Sequence, residues 1–401
     1  MKVAIIGGGA AGLCAARKCF EACLKVTLFE ATHSIGGTWV FTPQTNVHSS
    51  MYENMRTNLP KEIMRFSDLK FADCLPSFLS HTDVLDYLHE YSKPIKQFIK
   101  LCCAVEEVKR EGMQWKVSYS HDDIKRCENF DVVFVCNGHY VIPYIPHIDG
   151  SFNGLLVHSH DYRNPKRYVD QTVAVVGAGP SGIDITLQLA DVAREVYLLS
   201  DKEPLNCALP SNVIQRCTAT HYNNNELYLQ DGSTIEVDSI IFCTGYLYSC
   251  DFLGDLIQLR FGQKMLSPTF LHVAHTQYPT SLFFIGLNTT VLPFTLFECQ
   301  IKLALALIDG SAKVTDQEIK SWENERLLDL ESRGINGSMF HYLGDAQWDY
   351  FEQLLSIACC SHRVPPIMRL IYEDTSKRRR ENVMFYKMSN YHIENDSFMV
   401  H

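Results

Sequence analysis

The chain has 401 residues, enough for two domains with well-buried cores. Hydrophobic residues make up 46% and charged residues 20%, an ordinary globular composition, and the formal net charge of -10 argues against nucleic acid or an anionic membrane surface as partner. The 15 cysteines include no Cys-x-x-Cys pair, which argues against a metal cluster or a redox dithiol, so no metal is expected.

In chain order, the apolar run Lys2-Val3-Ala4-Ile5-Ile6 reads as a strand ending at Gly7. A strand that starts at once leaves no visible signal peptide, and no apolar run reaches the roughly 18 residues of a membrane span. A cytoplasmic protein with no membrane contact is expected. Secretion is the alternative if an upstream signal is missing, and the sequons at Asn288, Asn336 and Asn395 would then matter. Residues 11–23 carry helical spacing and 25–30 read as a second strand, which completes a β-α-β unit. Residues 81–100 read as a helix opened by Thr82 and Asp83, 105–119 as a hairpin across Glu111-Gly112, and 131–138 as a buried strand. A second β-α-β unit follows at 172–177, 181–193 and 195–199. Residues 226–243 read as a hairpin turning at Asp231-Gly232, and 315–332 and 346–360 as helices. Cys136 in VVFVCNG and Cys243 in IIFCTG read as small buried hydrophobes in a reducing compartment. The basic run Lys377-Arg378-Arg379-Arg380 reads as a solvated loop.

The repeated unit predicts an α/β fold with two Rossmann-like dinucleotide-binding domains, the second inserted into the first. A polar seam at His158 to Asp170 and a return crossing near Leu271 to Pro279 place a first, discontinuous domain at 1–165 plus 275–401 and a second at 166–274.

Each unit opens with a glycine cradle. In Gly7-x-Gly9-x-x-Gly12 the first glycine allows a tight turn, the second lets a pyrophosphate approach the backbone, and the third lets helix and strand pack closely. Glu30 ends the next strand, eighteen residues past Gly12, where a carboxylate can accept hydrogen bonds from a ribose diol. The second cradle is Gly177-x-Gly179-x-Ser181-Gly182. Eighteen residues past Gly182 stands Ser200 instead of an acid, with Lys202 close behind. A serine leaves room for a 2′-phosphate and a lysine neutralises it, so NADPH is expected over NADH, although Asp201 would repel a phosphate if it pointed inward.

Three further motifs carry a resemblance. Phe152-x-Gly154-x-x-x-His158-x-x-x-Tyr162-Arg163 stands just before the second cradle, Thr57-Asn58-Leu59-Pro60-Lys61-Glu62 follows the first unit, and Gly36-Gly37-Thr38-Trp39 lies shortly past Glu30. Together with both cradles they resemble the flavin-containing monooxygenase family over most of residues 1–310. DSIIFCTGY (238–246), Phe284-Ile285-Gly286 and Glu298-x-Gln300 resemble its return and flavin-closing segments. In length and texture the chain is similar to the short insect pyrrolizidine-alkaloid (senecionine) N-oxygenases of that family.

The resemblance implies FAD at Gly7, Gly9, Ala11, Gly12, Glu30, Gly37, Thr38, Trp39, Thr57, Asn58, Val105 and Gln300, and NADPH at Gly177, Gly179, Ser181, Gly182, Ser200 and Lys202. It also implies O2-dependent oxygenation of a nitrogen or sulfur atom of a small molecule, a tertiary amine or alkaloid, through a C4a-hydroperoxyflavin stabilised by Asn58. The lone pair of the substrate is the nucleophile, and neither a Gly-x-Ser-x-Gly elbow nor a His-Glu-x-x-His helix occurs. The rivals are a Baeyer–Villiger or N-hydroxylating monooxygenase, a disulfide reductase that would need the absent dithiol, and a non-catalytic flavin- or NADP-binding regulator. Tyr162 weighs against the Baeyer–Villiger reading, since those relatives usually carry tryptophan there. Oligomeric state stays open, a homo-oligomer included.

Overall fold

Lys2–Ile6 (β1) is apolar from Val3 onward and lies buried between two parallel neighbours. Val3 is in register with Val26 of Lys25–Phe29 (β2) and with Val132 of Val132–Val135. The computed structural model describes all 401 residues and places these strands in a seven-stranded sheet. Its order is Thr269–Phe270, Ala274–His275, Leu282–Phe284, Val132–Val135, β1, β2 and Ile99–Lys100. The three strands after residue 268 rejoin a sheet begun at residue 2.

A second, five-stranded parallel sheet lies between those two halves in sequence. Its order is Leu155–His158, Ser239–Phe242, Thr172–Val176, Glu195–Leu199 and Val213–Arg216. One Rossmann-like unit is therefore inserted into another. A three-stranded antiparallel meander (Cys103–Glu111, Gln114–His121, Ile124–Phe130) packs beside the first sheet, and a small mixed sheet that includes Asp149–Phe152 packs beside the second.

Seven helices cover these sheets: α1 (Ala10–Glu21), α2 (His81–Ser92), α3 (Pro180–Ala190), α4 (Pro293–Asp309), α5 (Asp316–Ser332), α6 (Gln347–Ile357) and α7 (Pro366–Glu381). Helix α2 starts on a capping box between Ser80 and Asp83. It ends at Ser92, short of the expected residue 100, because Pro94 lacks the N–H a continuing helix needs, and the chain runs on as a 3-10 turn over Lys93–Phe98. Helix α4 overlaps the end of the apolar stretch from Leu282 to Phe297, which Asn288, Thr289, Thr290 and Pro293 interrupt, and is buried along most of its length. Sequence reading missed it because buried Glu298 and Gln300 interrupt the apolar face that would set a helical period. The basic run expected as a loop forms the last turns of α7, where cations meet the negative helix end.

Close helix-strand approach positions both cradles. A Cβ added to Gly12 would lie 1.8 Å from the Gly7 carbonyl oxygen, and one added to Gly182 would lie 1.8 Å from that of Gly177. Gly179 has open space within 4 Å. Gly12→Ala should therefore lower the thermal midpoint, at a cost of roughly 1–3 kcal/mol or more for overpacking against fixed backbone. Gly179→Ala should melt close to wild type. Equal melting of both variants in a thermal scan would contradict this packing account.

Candidate active site

The two cradles are near copies. Gly7 and Gly177 hold φ of 108° and 107°, a region that favours glycine. The N-cap residues Gly9 and Gly179 lie at φ/ψ of -76°/-176° and -79°/-176°. Neither α1 nor α3 receives a side-chain cap, so first-turn N–H groups at both helix ends are available to an anion. The repeat extends to the third strand of each unit, since a Cβ on Gly7 or Gly177 would meet the Cys136 or Cys243 carbonyl oxygen at 2.4 Å and 2.5 Å. Cys136 is buried and Cys243 half-buried; burial raises the thiol pKa of both, that of Cys243 to about 12.

Around the first cradle, Glu30 is only 7% exposed. Its Oε2 accepts from Gly8 N at 2.7 Å and its Oε1 from Thr32 N at 2.8 Å and Oγ1 at 2.7 Å, so the carboxylate is fixed against the turn. Gly36 N donates to Gly8 O at 2.9 Å, which brings the turn Gly37–Trp39 over Gly9. Thr38 Oγ1 lies 3.3 Å from Ser50 Oγ. Ala11 and Trp39 pack on the first core, and buried Thr57 accepts from Leu79 N at 3.0 Å.

Two expected cofactor positions stand differently. Val105 is half-buried in Cys103–Glu111 and packs against the second core. Gln300 is fully buried: Oε1 accepts from Gly286 N at 2.8 Å, and Nε2 donates to Asn288 Oδ1 at 2.8 Å and to Tyr350 OH at 3.1 Å. With its amide committed inside the protein, Gln300 positions the Gly286 turn and offers nothing to a ligand directly. The same network buries Asn288 at 3% exposure, which removes it as a glycan acceptor.

At the second cradle Ser181 is half-buried in the first turn of α3, and Ser200 follows the strand Glu195–Leu199. Ser200 Oγ accepts from Lys202 N at 3.1 Å, and Asp201 and Lys202 are exposed. Sequence reading missed Arg216. It is in register with Leu199, and its carbonyl accepts from Ser200 N at 3.1 Å. The guanidinium makes no ion pair, and its only hydrogen bond is to Gln215 O. Its signal was present as a basic residue ending an apolar stretch, but strand pairing alone brings it beside Ser200.

Asn58 lies where both units meet. It lines an open cavity of about 480 Å³ together with Pro180 and Asp184 of α3 and with Tyr386 and Lys387 of the C-terminal segment. Tyr386 OH donates to Asn58 Oδ1 at 3.3 Å. With Oδ1 against that hydroxyl, Nδ2 makes no hydrogen bond within the protein.

Tethers hold the units around this point. Asp184 accepts from Tyr52 OH of the first unit and from Lys387 Nζ at 2.6 Å. Arg163 donates to the carbonyls of Gln44, Ser49, His160 and Tyr162, so it binds the stretch after the first cradle to the connector into the second. His158 Nε2 lies 3.0 Å from Gly245 O, and Nδ1 accepts from His160 N at 3.0 Å. Burial pushes this imidazole down to about 4, so it links the connector to the return segment as a neutral ring.

The model of the family described as flavin-binding monooxygenase-like matches residues 1–208. Flavin-containing monooxygenase FMO GS-OX5 of Arabidopsis thaliana is 33% identical over 88% of this chain and 83% of its own length. The chain belongs to the flavin-containing monooxygenase family. As a member it is a flavin-dependent monooxygenase that uses FAD, NADPH and O2. The solved structure of S-allyl-L-cysteine S-oxygenase from Allium sativum is similar, with a TM-score of 0.91 and 32% identity over 96% of this chain and 94% of that one. Tmm from Pelagibacter sp. strain HTCC7211 follows at 0.85 and 25% identity, over 100% of this chain and 96% of that one. Cyclohexanone monooxygenase shares the fold, with a TM-score of 0.65 and 14% identity over 89% of this chain and 97% of that one. No helix of this flavin-containing monooxygenase is long and apolar enough to cross a membrane.

The Asp184 tether makes a direct prediction. Its carboxylate and the Lys387 ammonium are 17% and 16% exposed, between the surface and buried regimes. Asp184→Ala leaves Lys387 without its partner and should cost about 1–3 kcal/mol. It should also make the segment around Tyr386 more sensitive to proteolysis. A variant with wild-type melting and an unchanged cleavage pattern would show that the tether bears no load.

Proposed function

We propose that the first cradle holds the FAD pyrophosphate with Glu30 on its ribose, that the second cradle holds NADPH, and that Asn58 meets the reacting group between them. The substrate we infer is a thioether, converted to a sulfoxide: thioether, O2, NADPH and a proton give sulfoxide, NADP and water. The residues present fit both cofactors: each helix end is uncapped, space opens at Gly179, and a buried carboxylate faces the first turn. Bound flavin supplies the activation of oxygen, which the side chains themselves cannot perform.

The carrying observation is the oriented amide of Asn58. Tyr386 OH engages one end of the amide, and the other end is left free on the cavity wall to meet a reacting group. The tethers at Asp184 and Arg163 keep the two units together around that amide. Support for sulfur comes from the likeness to the Allium sativum S-oxygenase. A tertiary amine, the class expected from the sequence, is the comparison substrate in the test.

Asn58→Leu should keep NADPH oxidation while oxygenated product falls by two to three orders of magnitude and hydrogen peroxide appears, since a lost donor in a preorganised site costs about 3–4 kcal/mol. The assay pairs NADPH consumption with product from a thioether and from a tertiary amine. Retained coupling in the variant would leave Asn58 as a turn residue only, and faster wild-type turnover of the amine would overturn the sulfur reading.

Coenzyme choice is tested separately. Lys202→Ala and Arg216→Ala should each raise KM for NADPH about tenfold, the worth of one charge-assisted contact, with little change for NADH. Equal effects on both coenzymes would mean that neither residue reads the 2′-phosphate.

A further inference from the structure

The cavity beside Asn58 carries two cations that the fold leaves without partners. Lys387 is paired with Asp184, and Arg378, next to the cavity in sequence, is paired with Asp374. Arg56 and Arg379 both line the cavity, and neither makes an ion pair or a side-chain hydrogen bond. Arg56 is exposed at the cavity and stands two residues before Asn58, while Arg379 is half-buried on α7. A guanidinium loses hydration when half-buried, and proteins usually return that loss through a carboxylate or phosphate partner. The one other carboxylate on the cavity wall, Asp191, is exposed at the end of α3 and pairs with neither. Ile183, Leu187 and Met384 supply an apolar stretch of wall.

We propose that Arg56 and Arg379 receive the carboxylate of the substrate, so that the heteroatom offered to Asn58 belongs to an anionic small molecule with a short apolar chain. The inference rests on the reading of this cavity as the substrate site. A planar guanidinium matches a carboxylate with two parallel hydrogen bonds, and the pair fixes one end of the molecule while the apolar wall holds its chain. Arg379 belongs to the basic run, whose members meet different settings: the cavity at Arg379, the Asp374 carboxylate at Arg378, and solvent at Lys377 and Arg380.

The test uses FAD-loaded full-length protein and two probes that differ only in charge, 3-(methylthio)propanoate and 3-(methylthio)propanamide. The wild type should prefer the carboxylate by kcat/KM, and Arg379→Gln or Arg56→Gln should reduce that preference about tenfold. An unchanged preference would overturn the proposal. A rise in KM for NADPH with the preference intact would also overturn it, since the guanidiniums would then hold the coenzyme. If the wild type oxygenates neither probe, the thioether reading fails on its own. The subsite is then tested by quenching of flavin fluorescence on titration with 3-(methylthio)propanoate. Binding that Arg379→Gln weakens about tenfold supports it, and binding that the variant leaves intact, or none at all, refutes it.

Discussion

The close approach of Gly12 to the Gly7 carbonyl, repeated at Gly182 and Gly177, is the constraint on which the rest of the molecule depends. Contact at that distance allows no side chain. It sets each helix directly over the end of its strand, with the first turn uncapped and its N–H groups converging on one point. Every other feature of the site is placed relative to those two points: Glu30 against Gly8, the turn Gly37–Trp39 against Gly9, and Arg216 against Ser200.

The two cradles are tied to each other through the motif that precedes the second, Phe152 to Arg163. Arg163 binds four backbone carbonyls, and Tyr162 OH donates to Gln188 of α3 at 3.2 Å. Asp184 and Lys387 add a second tie from the far end of the chain. These contacts are polar and few, and interfaces of that kind allow limited motion between units while preserving register.

The C-terminal segment supplies much of the cavity wall where the two units meet. Tyr386 orients Asn58, Lys387 joins the units, and Arg379 brings a positive charge to the cavity wall. None of these lies in the stretch that the family model covers, residues 1–208. The relatives nevertheless align over most of the chain, 88% of it for FMO GS-OX5 and 96% for the Allium sativum structure.

FAD was legible only through the family resemblance and the insertion of one unit in the other only through a polar seam and a return crossing, but the linear sequence by itself determined the repeated β-α-β unit and its two dinucleotide cradles. These follow from local rules: glycine spacing, strand and helix periods, and an acid or a serine at a strand end act over about thirty residues and need no distant partner. Asn58 was also legible, through its motif. Tertiary structure alone decided that Gln300 is bound inside the protein, that Arg216 stands beside Ser200, and that Tyr386 holds the amide of Asn58. It also separated the basic run into paired Arg378 and unpaired Arg379. The first three of those outcomes depend on residues 12 to 328 positions apart meeting through packing, and no local pattern in the chain encodes such a meeting, whereas the Arg378–Asp374 pair is an i,i+4 contact within α7.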